Sequence, residues 1–284
     1  MYGRASTEFP RRIVCLTAET AEICFVLGAG ERVVGVPGTA RRPEAARERA
    51  RVGGFTTFRT DRILALEPDL VLAFSDLQRD VVGELIAAGV TVLCTNQRSL
   101  DDVLRAILLI GGALGCEAAA RALVADMRDE LKQIREYSSV WPDRPRVYFE
   151  EWMDPLIAGI RWVSEAIEVA GGVDVFADLR GEGGARGRIV SAEEVVRRDP
   201  EIILASWCGK PVDRAAIAVR PGWSGIRAVT AGQIHEIDGE DILSPGPSLL
   251  AGIRRIHEIV QAYRSDAPRS GPGSNALLPP PDGA

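Results

Sequence analysis

The sequence has few of the residues from which common catalytic and metal sites are built. It contains only two histidines, His235 and His257, and it has no HExxH, GxSxG or paired Cys/His pattern that would set a nucleophile beside a base. Its five cysteines form no CxxC pair and show no spacing typical of a metal site. We therefore expect a protein that is not an enzyme, with no catalytic cofactor and no metal site.

Further absences bear on location and partners. No apolar run reaches the roughly 18 residues that a membrane-spanning helix needs, and the segment before Arg12 has no apolar stretch of a secretory signal. The cysteines are odd in number and scattered, which is typical of reduced thiols. These features predict a cytoplasmic protein, or a periplasmic or cell-surface one if the native chain starts elsewhere. A net charge of −6 argues against a nucleic-acid surface.

Nucleotide-binding motifs are also missing. The pair Gly28 and Gly30 follows a predicted helix, whereas a dinucleotide loop must follow a strand and open a helix. We interpret this pair as the end of the helix.

The sequence is organised around a proline-free segment from Glu117 to Val140. Strong helix formers fill it, and apolar residues recur every three or four positions, which predicts one long amphipathic helix. The segments on either side of this helix follow the same pattern. We expect an N-terminal α/β lobe (residues 11–116), a connecting backbone helix (117–140), a C-terminal α/β lobe (141–264) and a disordered tail (265–284), rich in proline and glycine.

The two halves share a series of features at a nearly constant offset. A strand at Ile13 corresponds to one at Val147, and a short helix ended by Pro68 corresponds to one ended by Pro200, about 132–134 residues further on. Strands alternate with helices, which predicts mostly parallel sheets covered by helices. The fold class is thus α/β, with two lobes joined by one helix and a ligand cleft between them; one continuous α/β sheet is the alternative.

Aromatic and basic side chains occur where a cleft would form. In parallel sheets, residues just beyond the carboxyl ends of strands line the ligand crevice. Large rings at those positions suit a bulky organic ligand, and arginines in the neighbouring loops could bind its carboxylates or phosphates. The candidate residues are Phe55, Phe58, Trp152, Trp207, Arg42, Arg161 and Arg186.

Two acidic residues, Asp61 and Glu193, occupy matching places in the two halves, each in the first turn of a short helix. Acids there complement the helix dipole, and the segment from Ser191 to Glu194 is typical of a capping box. Capping does not require that the acids match between halves. They could therefore present one carboxylate per lobe to basic residues of a partner.

An ordered series of motifs extends over about residues 11–263. It comprises Arg12-Ile-Val-Cys-Leu-Thr with Glu22, Val52-Gly-Gly-Phe, Asp61 with Glu67-Pro-Asp-Leu-Val, Arg146-Val-Tyr-Phe-Glu-Glu-Trp-Met-Asp-Pro, Trp162-Val-Ser-Glu-Ala-Ile-Glu-Val-Ala-Gly-Gly, Ser191-Ala-Glu-Glu-Val, and Ser244-Pro-Gly-Pro. On these residues the chain resembles the substrate-binding proteins of ABC importers that have a helical backbone, and among them most closely the cobalamin-binding proteins.

The resemblance implies two α/β lobes joined by one helix, a ligand held between them and little hinge motion. It implies that Asp61 and Glu193 dock onto arginines of the importer's membrane subunits. It also implies that Phe55 lies in a cobalamin cleft, to which the stretch from Trp152 to Trp162 contributes. The expected protein is a monomer that captures cobalamin or a related corrinoid.

Two positions depart from the pattern of that family. Arg42 stands before Pro43 where an aromatic residue is usual, and Arg161 stands where some relatives have histidine. A ferric siderophore or haem on the same scaffold therefore stays an alternative ligand. A cytoplasmic α/β enzyme or cofactor-handling protein that uses the cleft is the alternative from another class.

Overall fold

The computed structural model describes residues 8–266. Two α/β lobes flank a single long helix, which confirms the predicted fold class. The tail predicted for residues 265–284 lies outside the described residues from position 267 onward.

The N-terminal lobe is a five-stranded parallel sheet with strand order β3-β2-β1-β4-β5. Its elements are β1 (Ile13–Cys15), α1 (Ala18–Val26), β2 (Val33–Val36), β3 (Ala50–Arg51), α2 (Thr60–Ala65), β4 (Leu70–Phe74), α3 (Arg79–Ala87), β5 (Val92–Thr95) and α4 (Leu100–Ala113). All five residues of β4 are buried, as expected for a strand covered on both faces.

The long helix α5 runs from Glu117 to Ser139 and, at 1.5 Å per residue, is about 35 Å long. Its Ala120, Val124 and Met127 are buried. Further apolar residues of the helix are partly buried against the same core: Leu123, Leu131 and Ile134. The helix therefore packs against both lobes along its length.

The C-terminal lobe has a sheet of order β10-β9-β6-β7, to which the short β8 is added beside β6. Its elements are β6 (Arg146–Met153), β7 (Leu156–Ala158), α6 (Arg161–Val169), β8 (Val173–Asp174), α7 (Ala192–Arg198), β9 (Ile202–Ala205), α8 (Arg214–Ala218), α9 (Arg227–Thr230), β10 (Ile234–Glu236), α10 (Gly239–Ile242) and α11 (Leu249–Asp266). Strand β7 is antiparallel to β6, whereas the other pairs are parallel.

The repeat predicted from the sequence extends to hydrogen bonds. In the first lobe the backbone N–H of Arg12 donates to Asp69 at 2.8 Å, and its guanidinium donates to the carbonyl of Leu66 at 2.6 Å. In the second lobe the N–H of Arg146 donates to Glu201 at 2.8 Å, and its guanidinium donates to the carbonyl of Arg198 at 2.6 Å. Equivalent arginines, Arg12 and Arg146, thus tie the first strand of each lobe to the end of its short helix.

The backbone before the two prolines repeats as well. Glu67 precedes Pro68 with φ of 46°, and Asp199 precedes Pro200 with φ of 41°, both in the left-handed region. These positions are 132 residues apart, so the offset seen in the sequence is kept in the backbone.

One hydrophobic core passes through both lobes. It contains Ile13 and Leu72 of the first sheet, Val147 and Leu204 of the second, and the buried face of α5. Two smaller clusters cover the other faces of the sheets. Because apolar contact runs without a break from one lobe to the other, a change in the angle between the lobes would expose buried surface.

Helices of the described region are all too short or too polar to cross a membrane. In the same region no group of three or more His, Cys, Asp or Glu side chains is arranged to hold a metal ion.

Candidate ligand cleft

The carboxyl ends of the two sheets face each other across the junction of the lobes. Gln97, two residues beyond β5, donates to the carbonyl of Pro245 at 3.3 Å, and Ser248 donates to the Glu22 carboxylate at 2.5 Å. A Cβ placed on Gly183 of the second lobe would lie 3.7 Å from Nε of Arg98 in the first. Loops beyond the strands of the two lobes therefore meet at the junction, and we call these loops the two walls of the candidate cleft, because a ligand crevice is expected at such strand ends.

Phe55 is the exposed aromatic residue of the first wall. Its side chain is 39% exposed, in the loop between β3 and α2. The buried amide of Gln78 fixes this loop: Nε2 donates to the carbonyls of Phe55 at 3.0 Å and Leu16 at 3.1 Å, and Oε1 accepts from the N–H of Phe74 at 3.0 Å. Gln78 thus holds the Phe55 backbone against the ends of β1 and β4. No pattern in the sequence indicated this role of Gln78.

Phe58 supports this wall rather than facing the cleft. It is half-buried against the outer core of the first lobe and pairs across the loop with Gly53. Gly53 is required there, since a Cβ would lie 2.7 Å from the Phe58 ring and 2.5 Å from the carbonyl oxygen of Thr57.

Trp152 is the matching aromatic residue of the second wall. It lies near the carboxyl end of β6 and is half-buried, and its indole N–H donates to the carbonyl of Asp154 at 3.0 Å. The ammonium of Lys210 lies 5.0 Å from the centre of its ring, within the range of a cation–π contact. This side chain combines an apolar face with a neighbouring positive charge.

Trp207 and Trp162 are buried, and both indole N–H groups are bonded within the protein. Trp207 is 6% exposed and donates to Glu150 at 3.0 Å, and Trp162 is 4% exposed and donates to the carbonyl of Ile242 at 3.0 Å. Glu150 is itself fully buried and pairs with Arg220. Neither ring presents a free face to the cleft, so we leave both out of the proposed contact set.

Arg42 makes ion pairs between the lobes. Its guanidinium reaches Glu240 at 3.0 Å and Asp238 at 3.5 Å, and it also contacts Asp241. These carboxylates, mainly that of Asp241, raise the pKa of Arg42. An anionic ligand would have to compete with all three for this arginine, so the structure assigns Arg42 to the lobe junction.

The other two predicted arginines differ in their contacts. Arg161 pairs with Glu165 at 2.8 Å along α6, and Glu165 in turn accepts from the N–H of Leu100 in the first lobe at 2.8 Å. Arg186 is exposed and has no ion-pair partner within residues 8–266. Arg186 is therefore free to meet a ligand, whereas Arg161 contributes to the lobe junction.

Two further arginines, Arg98 and Arg188, lie in the loops of the candidate cleft, and the sequence analysis did not predict them as site residues. Arg98 follows β5, lies 5.3 Å over the Phe74 ring and contacts Asp76 at 3.4 Å. Arg188 is 2% exposed and grips Glu151 with two nitrogens, at 2.6 and 3.0 Å, which anchors the loop that carries Arg186. Arginines in polar loops are common, so no pattern distinguished these.

A carboxyl group is buried where the lobes meet. Glu19 of α1 packs against Gly246 of the second lobe, where a Cβ would lie 2.8 Å from the Cβ of Glu19. Burial raises the pKa of Glu19 to about 7, and the nearby charge of Glu22 adds to the rise. The Glu19 carboxyl at this junction therefore keeps its proton up to about pH 7.

Asp61 and Glu193 are each the second residue of their helix, α2 and α7, and both are exposed. Asp61 is held by Arg59 at 2.8 and 3.0 Å, which lowers its pKa. Of the predicted capping box, only the hydroxyl half is present: Ser191 accepts from the N–H of Glu194 at 3.1 Å, while the Glu194 carboxylate binds Arg197 and Arg198.

Two grooves lie outside this cleft. One, of about 690 Å³, is beside α8 and β10 at the edge of the second lobe. The other, of about 630 Å³, lies between α4, α5 and α6.

Comparison with known proteins identifies the family. The sequence model described as "Periplasmic binding protein" matches residues 13–268. The uncharacterized ABC transporter substrate-binding lipoprotein YvrC of Bacillus subtilis is 30% identical over 260 residues, which cover 88% of this chain and 80% of that protein. A cobalamin-binding protein of Halobacterium salinarum is 31% identical over 258 residues, which cover 87% of this chain and 68% of that protein.

Solved structures agree with the fold. The periplasmic vitamin B12-binding protein BtuF of Vibrio cholerae superimposes with a TM-score of 0.74 at 24% identity, over 90% of this chain and 99% of that one. The periplasmic heme-binding protein RhuT of Roseiflexus sp. RS-1 gives a TM-score of 0.77 at 25% identity, over 89% and 98%. The relatives are substrate-binding proteins, which gives no support to a cytoplasmic enzyme. This chain belongs to the periplasmic binding protein family.

Proposed function

We propose that the protein captures cobalamin or a related corrinoid in the cleft between its lobes, for transport by an ABC importer. The observation that carries this proposal is that each lobe has an accessible aromatic side chain near a strand end, Phe55 in the first lobe and Trp152 in the second. Lys210 lies beside the Trp152 ring, and Arg98 and Arg186 lie in loops of the two lobes. A corrinoid offers a broad ring to the aromatic faces and polar groups at its rim to the cations.

The sequence relationship supports a corrinoid over other bulky ligands. The cobalamin-binding protein of Halobacterium salinarum is related over most of this chain. Haem is the second candidate, because the heme-binding protein RhuT shares the fold at a similar level of identity. Both ligands are large, flat macrocycles that would use the same two walls.

Titration of the purified protein with cyanocobalamin, haem and a ferric siderophore tests the ligand. We expect the tightest binding with cyanocobalamin, and a loss of about tenfold for Phe55→Ala or Trp152→Ala, since each removes an aromatic contact worth on the order of 1 kcal/mol beyond its buried area. Tyr137→Ala, an exposed aromatic position on α5, is the matched control. Absence of tight cobalamin binding, or equal effects of all three substitutions, would reject the proposal.

We further propose that Asp61 and Glu193 dock the loaded protein onto basic residues of the importer. Their matching places on α2 and α7 put one exposed carboxylate on each lobe. In cells whose corrinoid uptake depends on this protein, the double change Asp61→Ala and Glu193→Ala should abolish uptake and leave ligand affinity intact. The control is the double change Asp126→Ala and Asp129→Ala on exposed positions of α5. Normal uptake by the first double variant would contradict docking at these residues.

We infer a location outside the cytoplasmic membrane, in place of the cytoplasm predicted from the cysteines and the first residues. Relatives are named as a lipoprotein and as periplasmic proteins. Fractionation of the endogenous protein tests this inference, and recovery of the protein with cytoplasmic markers would overturn it.

A further inference from the structure

The groove between α4, α5 and α6 lies at the place where the connecting helix meets both lobes. Leu100 and Leu104 of the first lobe, Leu131 of α5 and Val169 of the second lobe line it. Its volume of about 630 Å³ is in the range of small-molecule sites. A molecule bound there would contact the three elements that set the angle between the lobes.

The acidic side chains of this groove already have partners outside it. Asp101 pairs with Arg105 at 2.6 Å. Glu165 pairs with Arg161 at 2.8 Å, and Glu168 pairs with Arg180 at 2.5 Å. None of these three arginines lines the groove. Each of these acids therefore has an arginine beside it.

The basic side chains of the groove, in contrast, have no close carboxylate partner. Arg128 and Arg135 line it from α5, two helical turns apart and hence on one face, and neither has an ion-pair partner within the described chain. Arg144 donates to the backbone carbonyls of Gly172 at 2.6 Å, Glu168 at 3.0 Å and Gly171 at 3.4 Å, and it has no carboxylate partner among the described residues. Lys132 reaches Glu136 only at 3.8 Å, an exposed pair that contributes little.

We propose that this groove binds an amphiphilic anion, a molecule with an apolar chain and a carboxylate or phosphate head. The chain lies over the half-buried Leu131 and the edges of Leu100, Leu104 and Val169, which are themselves largely buried. The guanidinium groups of Arg128 and Arg135 pair with the head in the fork geometry that suits both kinds of oxyanion. The site is separate from the ligand cleft and is independent of which ligand the cleft takes.

Fluorescence titration with dansyl-labelled undecanoate tests the site on the purified full chain. Laurate and dodecyl phosphate should displace the probe, because they share its chain and carry an anionic head. Dodecanol and inorganic phosphate should not, because each lacks one of the two features. Displacement by dodecanol as effective as that by laurate, or by phosphate alone, would overturn the proposal.

Variants locate the binding. The double change Arg128→Ala and Arg135→Ala should weaken probe binding at least about tenfold, as expected for two lost charge-assisted hydrogen bonds. Arg121→Ala, an exposed arginine of the same helix outside the groove, should bind as the unchanged protein does. Thermal unfolding of both variants at the same temperature as the unchanged protein verifies that the fold is intact, and equal probe affinity of the double variant and the control would refute the site.

Discussion

The exposed ring of Phe55 shows how a buried polar group fixes a surface loop. An aromatic side chain in a glycine-containing loop would gain from packing against the protein, and Phe58 in the same loop does so. The side-chain amide of Gln78 donates one hydrogen bond to the carbonyl of Phe55 at 3.0 Å and a second to the carbonyl of Leu16 at 3.1 Å. The position of the Phe55 backbone therefore depends on a residue more than twenty positions away.

The sequence could not show which tryptophans and arginines are available to a ligand, because this depends on partners that only the fold brings close. Trp152 lies near the end of β6 and Trp207 follows β9, yet only Trp207 finds a buried carboxylate, Glu150, for its indole N–H. Arg42 and Arg186 both lie in loops rich in arginine, yet three acids of the second lobe reach only Arg42. Partners that come from another lobe have no trace in the local sequence.

The buried Glu19 predicts a pH-dependent stability. Its pKa of about 7 in the folded chain exceeds the ordinary value of 4.5, so the folded state keeps a proton that the unfolded state releases between those values. The free energy of unfolding should therefore fall as pH rises through that window, by about 3 kcal/mol in total, and stay at the lower value above pH 7. Glu19→Gln should remove this fall.

Urea unfolding at about pH 4.5 and at about pH 8 measures the effect. The variant should gain stability over the unchanged protein at the higher pH and not at the lower one. Glu117→Gln, at an exposed position, is the control and should leave the pH profile unchanged. Parallel profiles for the Glu19 variant and the unchanged protein would contradict a buried, protonated carboxyl.

At the scale of elements, long periodic segments were predictable and short irregular ones were not. Helix α5 begins at the predicted residue, Glu117, and ends one residue before the predicted Val140. Strand β7 and helices α8, α9 and α10 were missed, since segments of three to five residues show no periodicity. Helix α10 supplies the carboxylates that hold Arg42, so part of the lobe junction was also missed.

The packing of α4 on α5 provides a prediction at this scale. A Cβ on Gly111 would clash with the Cβ of Ala120, whereas one on Gly112 would have no neighbour within 4 Å. Gly111→Ala should thus destabilise the protein by about 1–3 kcal/mol through overpacking. Gly112→Ala should stabilise it by about 0.5–1 kcal/mol, because alanine favours the helix. Chemical denaturation of both variants compares them, and equal effects would show that the two helices are not in close contact.

At the scale of the whole molecule, the continuous core explains why the lobes should move little. The same hydrophobic cluster includes residues of both sheets and of α5, and Arg42 and Gln97 add polar contacts across the junction. The duplicated pattern predicted two lobes and a connecting helix. It could not predict the contacts between lobes, because those residues differ in the two halves.

Small-angle X-ray scattering tests this rigidity. The radius of gyration should be the same within error for the free protein and for the protein saturated with cyanocobalamin. A clear decrease on saturation would indicate closure about a hinge and would contradict a cleft that is already formed.

The central claim is that a corrinoid lies between the Phe55 loop and Trp152, and a crystal structure of the complex with cyanocobalamin tests it most directly. We predict the corrin ring between these two walls, with Arg98, Arg186 or Lys210 at its rim. A corrinoid found elsewhere on the protein, or crystals grown with excess ligand whose cleft holds none, would contradict the account.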